Sequence, residues 1–346
     1  MKPGCYTALV TPFKDGTIDA DGLGRLIDFQ IQNGITGILA VGTTGESPVL
    51  SWDEHNQVID RVAAGTKDKC ICIAGTGSNN TSEALAASEH AVKAGVDAVL
   101  LVDPYYNGPS SLEIRKEYVE PVARAVRDTD VIPYVIPGRT GAQLLPQDLA
   151  ILHKTLPNVR TVKEATGNLD NMKLTRKCCG PDFMILSGDD GLTYAMMSDE
   201  QINAAGVISV LSNVAPGSVS QLVDLLRQGK QDDAVALNDA LQPLFGLVTV
   251  TTTEQTPYGD VVCRARNPLA VKSLMHILGM PSGGCRQPLG KMSPGGIEKV
   301  LTAARLVQSN NPEIFKPIED YFDVNIGERL ENPANWQDLV YPDYQG

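Results

Sequence analysis

The fold class that this sequence predicts is α/β, closed as a (β/α)8 TIM barrel, and three observations predict it. Short apolar runs alternate with amphipathic stretches from residue 5 to about residue 228, giving eight strand–helix units. The strands are continuous apolar runs, such as ITGILAV (35–41) and VDAVLLV (96–102). That is the pattern of strands buried on both faces. Three joints repeat one form: Asn33-Gly34, Ala94-Gly95 and Ala205-Gly206 each place a helix C-terminal glycine directly before an apolar strand. Eight units favour a closed barrel; an open parallel sheet is the alternative.

The elements follow in order. Residues 5–10 form the first strand, stopped by Thr11-Pro12. Leu23, Leu26, Ile27 and Ile31 recur at helical spacing over 19–33. After strand 37–41 comes the turn Gly42-Thr43-Thr44-Gly45-Glu46, and Ser51 with Glu54 makes a capping box for the next helix. Further strands are expected at 70–74, 98–102, 131–135, 159–163, 183–186 and 207–210. Helices are expected at 81–94, 111–127, 146–156, 168–178, 190–201 and 217–228. Past residue 230 the rhythm breaks into helices at 231–245, 268–278 and 294–308. The Thr-rich segment 246–267 reads as a loop or irregular hairpin. The expected division is a catalytic barrel over 1–229, a C-terminal helical region over 230–308, and an acidic, proline-containing tail over 309–346 that reads as extended.

Composition excludes several classes. A formal net charge of −12 argues against nucleic acid and an acidic membrane surface as partners. Seven cysteines, an odd number with no C-x-x-C pair, read as reduced thiols of a cytoplasmic protein. The first residues lack a long apolar stretch, so no signal peptide is expected, and no window suits a membrane span. The four histidines have no metal-ligand spacing, and no metal is expected. Gly75-Thr76-Gly77-Ser78-Asn79-Asn80 lacks the last glycine of a dinucleotide loop.

In such a barrel the chemistry sits where strands end. The sixth strand ends in Lys163, the second in Gly42–Glu46, the fourth in Asp103-Pro104-Tyr105-Tyr106-Asn107, and the fifth in Tyr134 and Arg139. Gly188 and the acidic pair Asp189-Asp190 follow the seventh strand, and Ser209 to Asn213 the eighth. Alone, Lys163 reads as a solvated surface lysine. With these neighbours it reads as an amine nucleophile, which must be neutral to attack a keto group. Phenols and hydroxyls can relay protons without adding charge. A Gly-flanked loop offers N–H groups to a carboxylate, and an arginine can fork onto a second one. The set suits an imine-forming enzyme acting on small keto and aldehyde acids.

Taken together, GTTGE (42–46), DPYYN (103–107), Y-x-x-P-x-RTG (134–141), VKEATGN (162–168), SGDD (187–190) and GVISV (206–210) resemble the dihydrodipicolinate synthase family of pyruvate-dependent, lysine-imine aldolases. The resemblance spans about residues 4–308. It implies a lyase, in lysine biosynthesis by the diaminopimelate route, that condenses pyruvate with L-aspartate 4-semialdehyde and needs no cofactor. Lys163 would form the imine. Tyr134 would shuttle protons through Thr43 and Tyr106, the latter reaching in from a neighbouring subunit of a homotetramer. Thr43 and Thr44 would hold the pyruvate carboxylate and Arg139 that of the aldehyde, with Gly188 and Ile208 lining the pocket. The positions matching a lysine feedback site are Ser47, Trp52, His55, Asn79, Glu83 and Tyr105. Three departures stand out. Val135 replaces the usual Asn after the tyrosine, 246–266 is longer than usual, and the tail has no counterpart. Val135 bears on the second substrate, so a sugar-acid or other 2-keto-acid aldolase stays the alternative, with a non-catalytic small-molecule sensor as a third reading.

Overall fold

A computed structural model describes residues 1–342. Eight parallel strands close into a barrel in sequence order. They are β1 (Gly4–Ala8), β2 (Gly37–Ala40), β3 (Ile71–Gly75), β4 (Ala98–Val102), β5 (Asp130–Val135), β6 (Thr161–Glu164), β7 (Met184–Ser187) and β8 (Gly206–Ser209). Closure comes from β1, whose Tyr6 pairs with Gly37 on one side while Gly4 pairs with Gly206 on the other.

The apolar runs divide by strand alternation into two layers. Tyr6, Leu39, Ile73, Leu100, Ile132, Tyr134, Leu186 and Ile208 fill the barrel interior. Their neighbours Cys5, Ile38, Cys72, Val99, Val131, Val135, Val162, Ile185 and Val207 face outward under the helices. This double burial is why the strand interiors are almost wholly apolar, with the buried Thr7 the exception within β1.

Capping follows the sequence signals. Ser51 and Glu54 exchange both bonds of the capping box, at 3.3 and 3.0 Å. Gly95 closes its helix in the left-handed region at φ 89°, and Gly34 follows its own at φ 75°. The Ala205-Gly206 joint differs: the preceding helix ends at Ser198, and Gly206 is the first residue of β8. A Cβ there would run into the Gly4 backbone, so this glycine permits strand pairing and is no helix cap.

Other boundaries also shift. The helix expected over 111–127 is Ser111–Glu113, Ile114–Val119 and Glu120–Ala125, its middle part wound as a π-turn. The helix expected over 190–201 is a short turn followed by Thr193–Ser198. Residues 246–267 form a regular antiparallel hairpin, β9 (Thr249–Thr256) and β10 (Gly259–Arg266), paired from Thr249↔Arg266 to Thr256↔Gly259.

The largest correction is the tail, which is folded rather than extended. The turn Pro312–Ile314 and the helices Lys316–Phe322 and Ile326–Glu331, with Phe315 between the first two, bury Ile314, Phe315, Ile318, Phe322, Ile326 and Leu330. Each such side chain contributes about 2 kcal/mol before the entropy of ordering is subtracted. Phe322 packs with its ring tilted 53° to that of Phe29 at a centroid distance of 5.2 Å, with the Arg25 guanidinium 5.0 Å over its ring. Arg329 donates to the carbonyls of Ile277 and His276 at 2.7 and 2.8 Å, capping the helix Leu269–Ile277. The prolines mislead because Pro312, Pro317 and Pro333 stand in first helical turns, where no N–H is needed. Residues 343–346 lie outside the described residues.

Candidate active site

All four residues of β6 are buried, Lys163 at 4% exposure. Val162 points to the helix layer, so Lys163 points inward, and its register partner on β5 is Tyr134. The Lys163 amine lies 4.2 Å from the centre of the Tyr134 ring. Burial drives its pKa down to about 7, nearby Asp190 opposes the shift, and Arg139 adds to it. Burial likewise pushes the Tyr134 phenol up to about 12, against the pull of Arg139 and the Thr43 hydroxyl. One group is therefore ready to lose its proton near neutrality and the other to keep it.

Gly188 packs against this lysine, and a Cβ there would stand 3.1 Å from Lys163 Cε and 2.8 Å from Ala165. Ile208 shares the interior layer with Tyr134. Asp190 is buried and accepts bonds from the Ser209 hydroxyl and from the Val210 N–H at 2.8 Å. Burial raises its pKa to about 6 despite them.

The Gly42–Glu46 turn is strained and clamped. Val41 and Glu46 have φ of 47° and 58°, a conformation that costs a non-glycine residue about 1 kcal/mol or more. Glu46 is held by Lys272 Nζ at 2.6 Å and by the Arg286 N–H at 2.8 Å. The Thr44 hydroxyl accepts from Asn267 at 2.9 Å. Among the described residues the N–H groups of Thr43 and Thr44 donate to no protein acceptor, so both are free for an anion.

A cavity of about 190 Å³ opens here, walled by Gly42, Thr43, Ser47, Tyr105, Tyr134 and Arg139 among others. Lys163, Gly188 and Ile208 do not form its wall; Lys163 meets it at the Tyr134 ring. Arg139 sits in the turn Pro137–Thr140 and donates to the Asn267 carbonyl at 3.2 Å. Burial lowers its pKa, Tyr134 resists, and Arg266 lowers it further. Val135 packs in the outer layer and faces away from this cavity. Tyr106 is 87% exposed and is not part of the cavity wall.

Of the six feedback-site candidates, Ser47 and Tyr105 line the same cavity, and His55 and Asn79 are bonded to these two. His55 is buried, bonded to Ser47 at 3.1 Å and edge-on to Trp52 at 4.9 Å. Burial, with His90 adding, lowers its pKa to about 4, so it is neutral at pH 7. Asn79 accepts from the Tyr105 N–H at 2.6 Å, and Glu83 accepts from Ser78 at 2.5 Å. Trp52 and Tyr105 are 39% and 40% exposed, which leaves a wet surface on this side.

Sequence reasoning missed the roles of four buried polar residues. Asp103 accepts from the Leu144 N–H at 3.0 Å, and burial raises it to about 7. Glu164 accepts from the Thr166 N–H at 2.7 Å and is raised by burial. Both stand at strand ends, a signal that was available. Asn267 and Lys272 come from beyond the barrel, where the strand-end rule does not reach. Among the described residues no group of three or more His, Cys, Asp or Glu could hold a metal ion.

Residues 1–305 match the model of the Dihydrodipicolinate synthetase family. The chain belongs to this family. A 4-hydroxy-tetrahydrodipicolinate synthase of Methanococcus maripaludis (strain C5) is 40% identical over 304 residues, 88% of this chain and 98% of the relative. Among solved structures, the 4-hydroxy-tetrahydrodipicolinate synthase of the methanotroph Methylacidiphilum fumariolicum SolV is 35% identical with a TM-score of 0.82, covering 93% of this chain and all of that one. A Cyanidioschyzon merolae family member with lysine bound is 31% identical with a TM-score of 0.80, over 88% and 98%. A monomeric dihydrodipicolinate synthase variant is 30% identical with a TM-score of 0.79, over 88% and 97%. The match to the dihydrodipicolinate synthetase family ends at residue 305, before the tail helix Lys316–Phe322.

Proposed function

We propose that the chain is a Schiff-base lyase that condenses pyruvate with L-aspartate 4-semialdehyde to 4-hydroxy-tetrahydrodipicolinate, in lysine (diaminopimelate) biosynthesis. The observation that carries the reading is the buried Lys163 amine, held near a pKa of about 7 against the Tyr134 ring.

The neutral amine attacks the keto carbon of pyruvate and water leaves, giving an imine. Tyr134, with Thr43, carries the protons that addition and dehydration require. The pyruvate carboxylate takes the Thr43 and Thr44 N–H groups, whose freedom supports that role. Loss of a methyl proton gives the enamine, whose carbon attacks the aldehyde carbon. Arg139 holds the aldehyde's carboxylate, and Gly188 and Ile208 shape the space around the adduct. The substrate amine then adds to the imine carbon, closes the ring and expels the Lys163 amine. Val135, packed under the helices, lends no support to a different aldehyde partner.

The exposure of Tyr106 supports a role in a second subunit of a homotetramer, where it completes the relay to Thr43. Ser47, Trp52, His55, Asn79, Glu83 and Tyr105 form the lysine feedback site in this reading, with Glu83 taking the ammonium group. The barrel over 1–229 carries the chemistry, 230–308 braces it, and 309–346 is an added acidic segment. No helix among the described residues is long and apolar enough to cross a membrane, and the proposed location is the cytoplasm.

Incubation with pyruvate and borohydride should add the reduced adduct mass at Lys163. Turnover with aspartate semialdehyde should follow, falling when lysine is added. Absence of a Lys163 adduct would sink the imine reading, and turnover indifferent to lysine would remove the feedback site alone.

A further inference from the structure

Arg139 lines the cavity, Arg266 reaches across to the turn that carries it, and among the described residues neither arginine has an acidic partner. Arg139 comes from the turn after β5, and Arg266 is the last residue of β10, where the inserted hairpin returns to the barrel. Their bonds cross. Arg139 Nη2 donates to the Asn267 carbonyl at 3.2 Å, and Arg266 Nη1 donates to the Gly138 carbonyl at 3.2 Å. Each side chain thus holds the backbone next to the other arginine. Among the described residues, the arginines in ion pairs are 115, 124, 160, 227, 286 and 305, and neither of this pair is one of them. Each uses one protein acceptor out of five N–H donors.

That arrangement is unexpected in a chain with 41 acidic and 29 basic residues. Side-by-side guanidiniums repel, and a carboxylate nearby would relieve them. The backbone beneath Arg266 is also fixed. Val250 on β9 is buried, Thr252 bonds Ser293 at 3.0 Å, and Lys299 donates to the Thr251 carbonyl at 2.7 Å. Asn267, one residue on, holds Thr44. The end of the hairpin therefore touches both the pyruvate-holding turn and Arg139.

We infer that Arg266 is a specificity-determining residue that shares with Arg139 the carboxylate of the aldehyde substrate. The inference rests on the condensation proposed above. A small aldehyde bearing an α-carboxylate presents two oxygens, one to each fork. A sterically similar aldehyde without the carboxylate gains nothing from the pair.

Arg266→Ala and Arg266→Lys in the full chain test it, with both substrates varied. For Arg266→Ala the KM for aspartate semialdehyde rises about tenfold or more, the size of one lost charge-assisted pair. The KM for pyruvate and the yield of borohydride-trapped pyruvate stay within about twofold. Arg266→Lys recovers part of the loss. An unchanged aldehyde KM with normal trapping would overturn the inference. A parallel loss of both KM values and of trapping would also overturn it, leaving the hairpin as a structural brace. Absence of an adduct in the unaltered protein would strike the condensation itself, and is read separately.

Discussion

Lys163 and Tyr134 are register partners on adjacent strands, with the amine 4.2 Å from the centre of the phenol ring. A ring face attracts a cation, yet burial outweighs it and leaves the amine with a pKa of about 7. The same burial keeps the phenol protonated to about 12. The pair thus combines a nucleophile with a proton carrier that adds no negative charge of its own beside the amine.

Replacing Lys163 by Met should abolish the pyruvate adduct and lower kcat at least about a thousandfold, because no other amine is poised at that place. The same variant should melt at a higher temperature at neutral pH, since an apolar chain replaces a desolvated amine. Tyr134→Phe keeps the ring and removes the proton, so kcat should fall about 10²- to 10⁴-fold while the fold persists. Circular dichroism and mass spectrometry of the trapped protein separate these outcomes.

The pH dependence has a definite sign. The folded pKa of Lys163 is depressed from 10.5 to about 7, so the neutral amine grows in as pH rises through 7. The rate of adduct formation at saturating borohydride should rise across that point and level off by about pH 8, since nine-tenths of the amine is neutral one unit above its pKa. Between 7 and 10.5 the unfolded chain binds the extra proton, so this group's contribution to stability rises with pH over that window. A rate that is flat from pH 6 to 9 would show an amine that is not desolvated.

Asp103 gives the opposite slope. Its folded pKa is raised from 3.8 to about 7 by burial, with the Leu144 N–H opposing. Between those values the folded state holds the proton, so its stabilising contribution is complete below 3.8 and is lost as pH rises through 7. Asp103 Oδ1 has no partner, while Oδ2 takes the Leu144 N–H. An Asn side chain keeps that acceptor without the charge. Asp103→Asn should therefore be more stable than the parent at pH 8 and equal to it near pH 4, by thermal melts at both values.

The sequence disclosed the parallel α/β pattern because its strands are buried on both faces, and the count of eight such runs favoured a closed barrel over an open sheet. Strand ends carried the site for the same reason: Lys163, Tyr134 and Arg139 are polar residues where an apolar run stops. What stayed hidden depends on contacts between distant segments. Lys272 is a lysine inside an apolar helix, and only the fold shows that it reaches Glu46, 226 residues away. The tail was hidden by composition. Its acids and prolines outweighed the spacing of Ile314, Ile318, Phe322, Ile326 and Leu330, which is a helical stripe.

The Lys272–Glu46 pair should behave as a buried clamp on the strained turn. Both side chains are 1% exposed, and Lys272 also donates to the carbonyls of Thr11 and Gly284. Lys272→Met leaves Glu46 as an uncompensated charge and should cost about 3–5 kcal/mol. Adding Glu46→Gln should restore a good part of that stability. The double variant should still bind pyruvate poorly, because Gln lacks the ion pair that holds the left-handed residue after Thr43 and Thr44. Urea titration and pyruvate KM, measured on the parent and both variants, distinguish a loss of stability from a misplaced carboxylate site.

Phe322 tests the folded tail. It packs on Phe29 of the first barrel helix and under Arg25, and is 6% exposed. An extended tail would make Phe322→Ala silent. In the packed arrangement the substitution opens a cavity against the barrel and should lower stability by about 3–5 kcal/mol. The active-site cavity has no residue from the tail in its wall, so kcat and both KM values should stay near the parent's at 25 °C while the urea midpoint falls. If instead midpoint and kinetics are both unchanged, residues 312–342 contribute nothing to the stability of the barrel, and the packing of Phe322 on Phe29 carries no energy.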